Sequence, residues 1–230
     1  MTYQSAEEFR ATYFKKEYLF DPTNFGRIFC LIDFANVRKW AKGFWPKENK
    51  DRLIKEIDIA KLHEVVNCVS PVEKLFYYGF YKMNRPDLGI KDPANQQYRD
   101  SIFRLDKASK AGFRVRRKEV KKIIHVDEDG TIKEISKCNF DVEMTMEMIL
   151  NMEKFDTILL WSGDSDFYKL LLYLVSKGKK IIVVCGREFA STELNSHEFK
   201  FIPADPLKDH LEYTKVPYKT HNPAVKPGVE

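Results

Sequence analysis

The chain has 230 residues, with 39 Lys+Arg against 34 Asp+Glu and a formal charge of +5. Its 43% hydrophobic and 13% aromatic content supports a buried core and excludes wholesale disorder. So small a charge excess permits a polyanionic partner without announcing one.

Taken in chain order, Ser5-Ala6-Glu7-Glu8 reads as a capping box opening an amphipathic helix that carries Phe9, Tyr13 and Phe14 on one side. It ends by Asp21-Pro22, because the residue before proline resists helical geometry. Residues 1–26 are therefore expected to be a helical extension, and 27–213 the main domain. Within that domain, Arg27 to Phe34, Leu75 to Tyr81, Thr157 to Trp161 and Lys180 to Cys185 are apolar runs of strand length. Runs of this kind suit strands covered on both faces. Between them, Asp58 to Val69, Ala94 to Ala111, Asp141 to Met152 and Asp166 to Lys177 read as helices, the last stopped by Gly178. The alternation predicts an α/β layered fold with a mainly parallel sheet. About 113–136 reads as a hairpin insertion around Asp129-Gly130, basic in its first part. Residues 214–230 are rich in proline and lysine and are expected to be a disordered tail.

Cys30, Cys68, Cys138 and Cys185 lack the spacing of a disulfide framework or a zinc ribbon. Cys30 and Cys185 sit in apolar runs, as small buried hydrophobes do. The start MTYQSAEEFR has no apolar signal region, and no stretch approaches the ~18 apolar residues of a membrane span. A cytoplasmic protein without membrane contact is expected. No GxGxxG, GxxxxGK[ST] or GxSxG element occurs, which removes dinucleotide, P-loop and hydrolase-elbow readings. The histidines share no ligand spacing.

The chemistry lies in the acids. In an open parallel sheet, ligands gather at the carboxyl ends of the strands. Asp33 closes the first strand, Asp164 and Asp166 follow the Thr157–Trp161 strand, and Asp141 opens the helix preceding that strand. Four carboxylates converging there would suit Mg²⁺ or Mn²⁺ and metal-assisted phosphoryl displacement. Taken singly, Asp141, Asp164 and Asp166 could equally be helix caps and Asp33 a turn residue.

The segments LIDFANV, KCNFDVEMTMEMIL and TILLWSGDSDF followed by LLLYLVSKGKKIIVV resemble, in order, the NYN domain of the PIN-like nuclease superfamily, in its LabA-like (DUF88) branch. The likeness extends to Ala190–Leu194 and Phe199–Ile202, which match the family's last helix and strand. It implies a three-layer α/β/α domain and a metal-dependent ribonuclease, with Asp33, Asp141, Asp164 and Asp166 as the catalytic and Mg²⁺- or Mn²⁺-binding set. Asn36 would orient a ligand or carboxylate and Ser162 would shape the loop. Two positions depart from the pattern: Glu147 replaces the second aspartate of its helix, and Cys138 replaces a glycine. Six residues turn a helix by about 240°, so Asp141 and Glu147 do not share a face, and Glu147 is expected to support the site from outside or to be structural.

The partner implied is nucleic acid, specifically single-stranded RNA. Arg38, Lys39, Lys42, Lys137 and Lys169 are candidate phosphate contacts near the acids. The Arg114–Lys122 run, with Arg114, Arg116 and Arg117, offers a further phosphate-tracking surface or a plain solvated strand face. Trp40, Phe44 and Trp45 are either base-stacking groups or ordinary packing. A homodimer is a reasonable expectation. Two other functions fit the same sequence: a non-catalytic RNA-binding or protein-interaction module, and another Mg²⁺-dependent phosphoryl-transfer enzyme.

Overall fold

The computed structural model of the chain describes residues 22–45, 54–126, 131–195 and 197–215. The expected N-terminal helix and most of the expected tail lie outside these residues. The first strand, β1 (Ile28–Asp33), is buried along its apolar length. It pairs in parallel with β3 (Glu73–Phe80) on one side and β7 (Thr157–Trp161) on the other. β4 (Arg114–Glu119) extends the sheet beyond β3, while β8 (Lys180–Cys185) and β9 (Lys200–Pro203) extend it beyond β7. The order β4-β3-β1-β7-β8-β9 reverses its direction of growth between β1 and β7. That reversal opens a crevice at their carboxyl ends.

Alternation within each strand builds two cores. Ile28, Cys30 and Ile32 face one way and pack with Phe76, Trp161 and Val184. Helices α1 (Phe34–Lys39), α2 (Ala41–Phe44), α3 (Ile59–Asn67) and α4 (Gln96–Ala111) lie on that side. Phe29 and Leu31 face the other way and meet Met144 and Met148 of α5 (Asp141–Leu150) and Leu171 and Leu174 of α6 (Tyr168–Ser176). The result is the expected three-layer α/β/α arrangement. Local signals bound the helices. Asp58 caps α3 by accepting from the amides of Ala60 and Lys61 at 2.7 and 3.2 Å. Gly112, at φ 106°, ends α4 in the left-handed region.

The basic run divides where a single hairpin was expected. Arg114–Glu119 joins the central sheet as its edge strand, and the hairpin is the separate antiparallel pair β5 (Lys121–Val126) and β6 (Ile132–Lys137). An edge strand needs apolar cover over only part of its surface and tolerates charge, which is why its sequence hides its place in a parallel sheet. A second small antiparallel pair, β2 (Ile54–Ile57) with β10 (Glu212–Lys215), has no strong sequence signal. β10 takes in the first two residues assigned by sequence to the tail. A short helix α7 (Lys208–Leu211) precedes it.

The helix expected at Ala190–Leu194 does not form. The chain there makes turns after a 3-10 turn at Arg187–Phe189, because its backbone is engaged elsewhere. The amide of Ser191 donates to the Gly163 carbonyl at 3.2 Å. No helix among the described residues is long and apolar enough to cross a membrane.

Candidate metal centre at the carboxyl edge of the sheet

Three carboxylates meet at this edge. One ligand oxygen each from Asp141, Asp164 and Asp166 lies within 4.8 Å of the others. Asp164 enters from the end of β7. Its carboxylate accepts from the amide of Asp166 at 3.1 Å, holding the Ser165–Phe167 turn so that both acids are presented together. Capping and ligand presentation are thus one arrangement here. Asp141 opens α5, and its carboxylate is held by the side-chain amide of Asn139, whose own oxygen accepts from the Asp141 amide at 3.0 Å. Among the described residues no lysine or arginine forms an ion pair with these three acids. The Asp141 carboxyl is raised above its ordinary value, first by desolvation and then by repulsion from Asp164, with Asp166 adding to it. A cluster of hard oxygen donors repelling one another fits a divalent cation of the Mg²⁺ or Mn²⁺ type.

Asp33 falls outside this set of three. Its carboxylate accepts from the Asn36 amide at 3.2 Å and from Ser162 Oγ at 3.3 Å. Burial pushes its carboxyl up to about 6 against these two hydrogen bonds, and Asp141 adds repulsion while Lys39 opposes it. Ser162 also accepts from the Asp164 amide at 3.3 Å, so one fully buried hydroxyl joins the ends of β1 and β7. Asn36 joins them again, its Oδ1 accepting from the Gly163 amide at 3.1 Å and from Trp40 Nε1 at 3.2 Å. Gly163 has no room for a side chain: a Cβ there would lie 2.1 Å from the Phe189 carbonyl oxygen and 2.5 Å from Cys185 Sγ.

The other sequence candidates are dispersed. Glu147 is forked to Arg116 by hydrogen bonds of 3.1 to 3.2 Å. It pins α5 to the edge strand instead of joining the three aspartates. That pairing also occupies Arg116, and Arg114 is similarly engaged by Glu73 at 3.2 Å. Arg38 lies 3.4 Å from the Tyr78 hydroxyl and 3.9 Å from Glu56. Arg117 lies over the Phe80 ring and Lys169 over Tyr168. Lys39, Lys42 and Lys137 are exposed. Trp40 and Phe44 are buried in the core, and Trp45 packs against it, so packing accounts for the aromatic cluster. Cys138 fits its unusual position by covering Gly79, where a Cβ would come 2.7 Å from its sulfur. All four cysteines are free.

Two contributors were missed by residue-type reasoning. Asn139 is one: it lies in the KCNFDV segment that carries the family likeness, but no role was given to it. Lys118 is the other. It pairs with Glu143 at 2.6 Å, lies over the Phe140 ring, and lowers the Asp141 carboxyl electrostatically.

A six-stranded parallel sheet between helical layers, with acids gathered at its switch point, defines a PIN-like α/β/α domain. The NYN domain family model matches residues 27–208, and the chain belongs to that family. It is 29% identical over 147 residues to the low amplitude and bright protein LabA of Synechococcus elongatus, covering 60% of this chain and 75% of LabA, which places it in the LabA-like branch. A crystal structure of a Vibrio parahaemolyticus protein of unknown function superposes with a TM-score of 0.53 at 22% identity, covering 82% of this chain and 97% of that one. This second likeness concerns the fold.

Proposed function

We propose that the protein is a metal-dependent endoribonuclease that hydrolyses single-stranded RNA. The observation that carries the reading is the convergence of Asp141, Asp164 and Asp166 at the switch point of an NYN domain, without a basic side chain paired to them among the described residues. Asp141, Asp164 and Asp166 would hold Mg²⁺ or Mn²⁺, with Asp33 contributing charge. A bound divalent cation would supply an activated water and stabilise the charge developing on the phosphodiester oxygens. The chain supplies the positioning. Asn139 aims the Asp141 carboxylate, Ser162 and Asn36 fix the loop carrying Asp164, and Lys39 offsets part of the negative potential around Asp33. Hydrolysis in this family's manner leaves a 5′-phosphate and a 3′-hydroxyl.

The test is cleavage of a single-stranded RNA by the purified protein with Mn²⁺ or Mg²⁺, with Asp164→Asn alongside. The variant is expected to lose at least 10²-fold in rate, and EDTA to stop cleavage of the parent. Cleavage surviving both would refute the assignment. Metal-independent RNA binding with no turnover on any substrate would favour a binding module instead.

A further inference from the structure

The β5–β6 hairpin is not used by the reading above. It begins at Lys121, directly after the edge strand and Val120, and ends at Lys137, two residues before Asn139 and four before Asp141. Its root is therefore at the acidic cluster. Every residue of both strands is exposed, and a free two-stranded ladder is marginal in water.

The register sorts its side chains into two unlike faces. The pairs Lys121↔Lys137, Ile123↔Ile135 and His125↔Lys133 share one face; Lys122↔Ser136, Ile124↔Glu134 and Val126↔Ile132 share the other. On the second face Lys122 and Glu134 form an ion pair at 3.0 Å, and the charge cancels. The first face has three lysines and a histidine and no acid. Its rung nearest the acidic cluster sets Lys121 directly opposite Lys137. Like charges directly opposed across two strands destabilise the ladder. Such a pair, on an arm already short of cover, gives up stability in a way that a bound polyanion would offset. Beyond the Lys121–Lys137 rung the same face offers exposed apolar surface from Ile123 and Ile135.

We infer that this face, through Lys121 and Lys137, holds the phosphate backbone of single-stranded nucleic acid whose scissile bond lies at the aspartate cluster. The inference rests on the nuclease reading and adds a substrate-holding surface to it. It also moves the phosphate contact away from Arg114 and Arg116, which acids engage.

The experiment measures binding of a fluorescent 20-nucleotide oligouridylate to the Asp164→Asn protein, which is expected not to cleave it, across a salt series. Each single-strand phosphate contact contributes about 0.7 to the slope of log affinity against log salt. Lys121→Gln/Lys137→Gln is expected to reduce that slope by about 1.4 and the affinity roughly ten- to thirty-fold at 0.1 M salt. Lys154→Gln/Lys177→Gln removes the same charge away from the arm and is expected to leave the slope unchanged. With Asp164 intact, the hairpin variant should raise KM for the 20-mer by a larger factor than it lowers kcat. Equal effects of both double variants would mean a diffuse field and overturn the inference. So would a parent-like slope in the hairpin variant, while leaving the nuclease reading intact. A hairpin variant that changes only the oligomeric state would assign the arm to a second copy of the chain and overturn it too. A parent that cleaves nothing but loses its salt slope on Lys121→Gln/Lys137→Gln would retain the binding face and refute the nuclease reading alone. A protein that binds no oligonucleotide refutes both.

Discussion

Asp33→Asn should make the metal-free protein more stable. In the folded state the Asp33 carboxyl titrates at about 6 instead of 3.8, chiefly because burial penalises its charge. A gap of about two pH units corresponds to about 3 kcal/mol. Relaxation around a half-buried group removes part of that, leaving about 1–3 kcal/mol. The raised value fixes the sign. Above pH 6 the group is ionised both folded and unfolded, so the folded state bears the full penalty; below pH 3.8 it is protonated in both, and the penalty disappears. Asparagine keeps an acceptor for the Asn36 amide and a polar partner for Ser162, so little else is lost. Thermal denaturation in EDTA is the assay, and the variant is expected to melt higher at pH 8 by about 3–10 °C, at about 2–4 °C per kcal/mol for a chain of this size. The difference should close near pH 4, and Mn²⁺ should raise the melting point of the parent more than that of the variant. A variant destabilised equally at pH 8 and pH 4 would show that Asp33 is a structural hydrogen-bonding group and that its charge carries no strain.

Three further outcomes follow from the contacts described. Glu147→Gln breaks the fork to Arg116 and should cost about 1 kcal/mol in urea denaturation while changing RNA cleavage less than threefold; a hundredfold loss would place Glu147 in the metal site. Gly163→Ala forces a Cβ against the Phe189 carbonyl and should lower stability by about 1–3 kcal/mol. It should also weaken Mn²⁺ binding, read by calorimetry, since the Asp164 loop must shift; unchanged affinity would refute the close approach. Asp58→Ala removes the α3 cap and leaves Lys107, 2.9 Å away, without its carboxylate. It should lower stability by about 2–3 kcal/mol, with cleavage at 25 °C unaffected, and a loss below 0.5 kcal/mol would show that the cap is solvent-compensated.

The central strands were legible because β1, β7 and β8 are buried on both faces and so read as unbroken apolar runs. Their parallel arrangement followed from alternation with helices, and the grouping of the four aspartates as candidates from the rule that places ligands at strand ends. What was hidden is tertiary. Nothing in RVRRKE marks an edge strand of a parallel sheet, because its backbone pairing is sequence-blind and its charges are solvent-facing or paired with acids far along the chain. Arg116 and Glu147 are 31 residues apart with no pattern joining them, so Arg116 read as a phosphate contact or a solvated strand residue and Glu147 as an outer support or structural acid, and only the fold pairs them. The Ala190–Leu194 segment was misjudged for a related reason: its backbone is used to support Gly163, a demand made by a loop elsewhere. Spacing grouped Asp33 with the other three; the carboxylates within 4.8 Å of one another are those of Asp141, Asp164 and Asp166, while Asp33 is tied to Asn36 and Ser162.

The arm's anchorage also bears on how such a domain diverges. Where β4 leaves the sheet and α5 begins, Lys118 grips Glu143 and lies over Phe140, and the Cys138 thiol donates toward the Lys118 carbonyl. These ties close the base of the loop independently of whatever chain lies between them, so Asp141 keeps its position if the hairpin is lengthened, shortened or exchanged. The junction is a grafting port: recognition can be rewritten in a detachable segment while the carboxylates at the sheet edge stay in place.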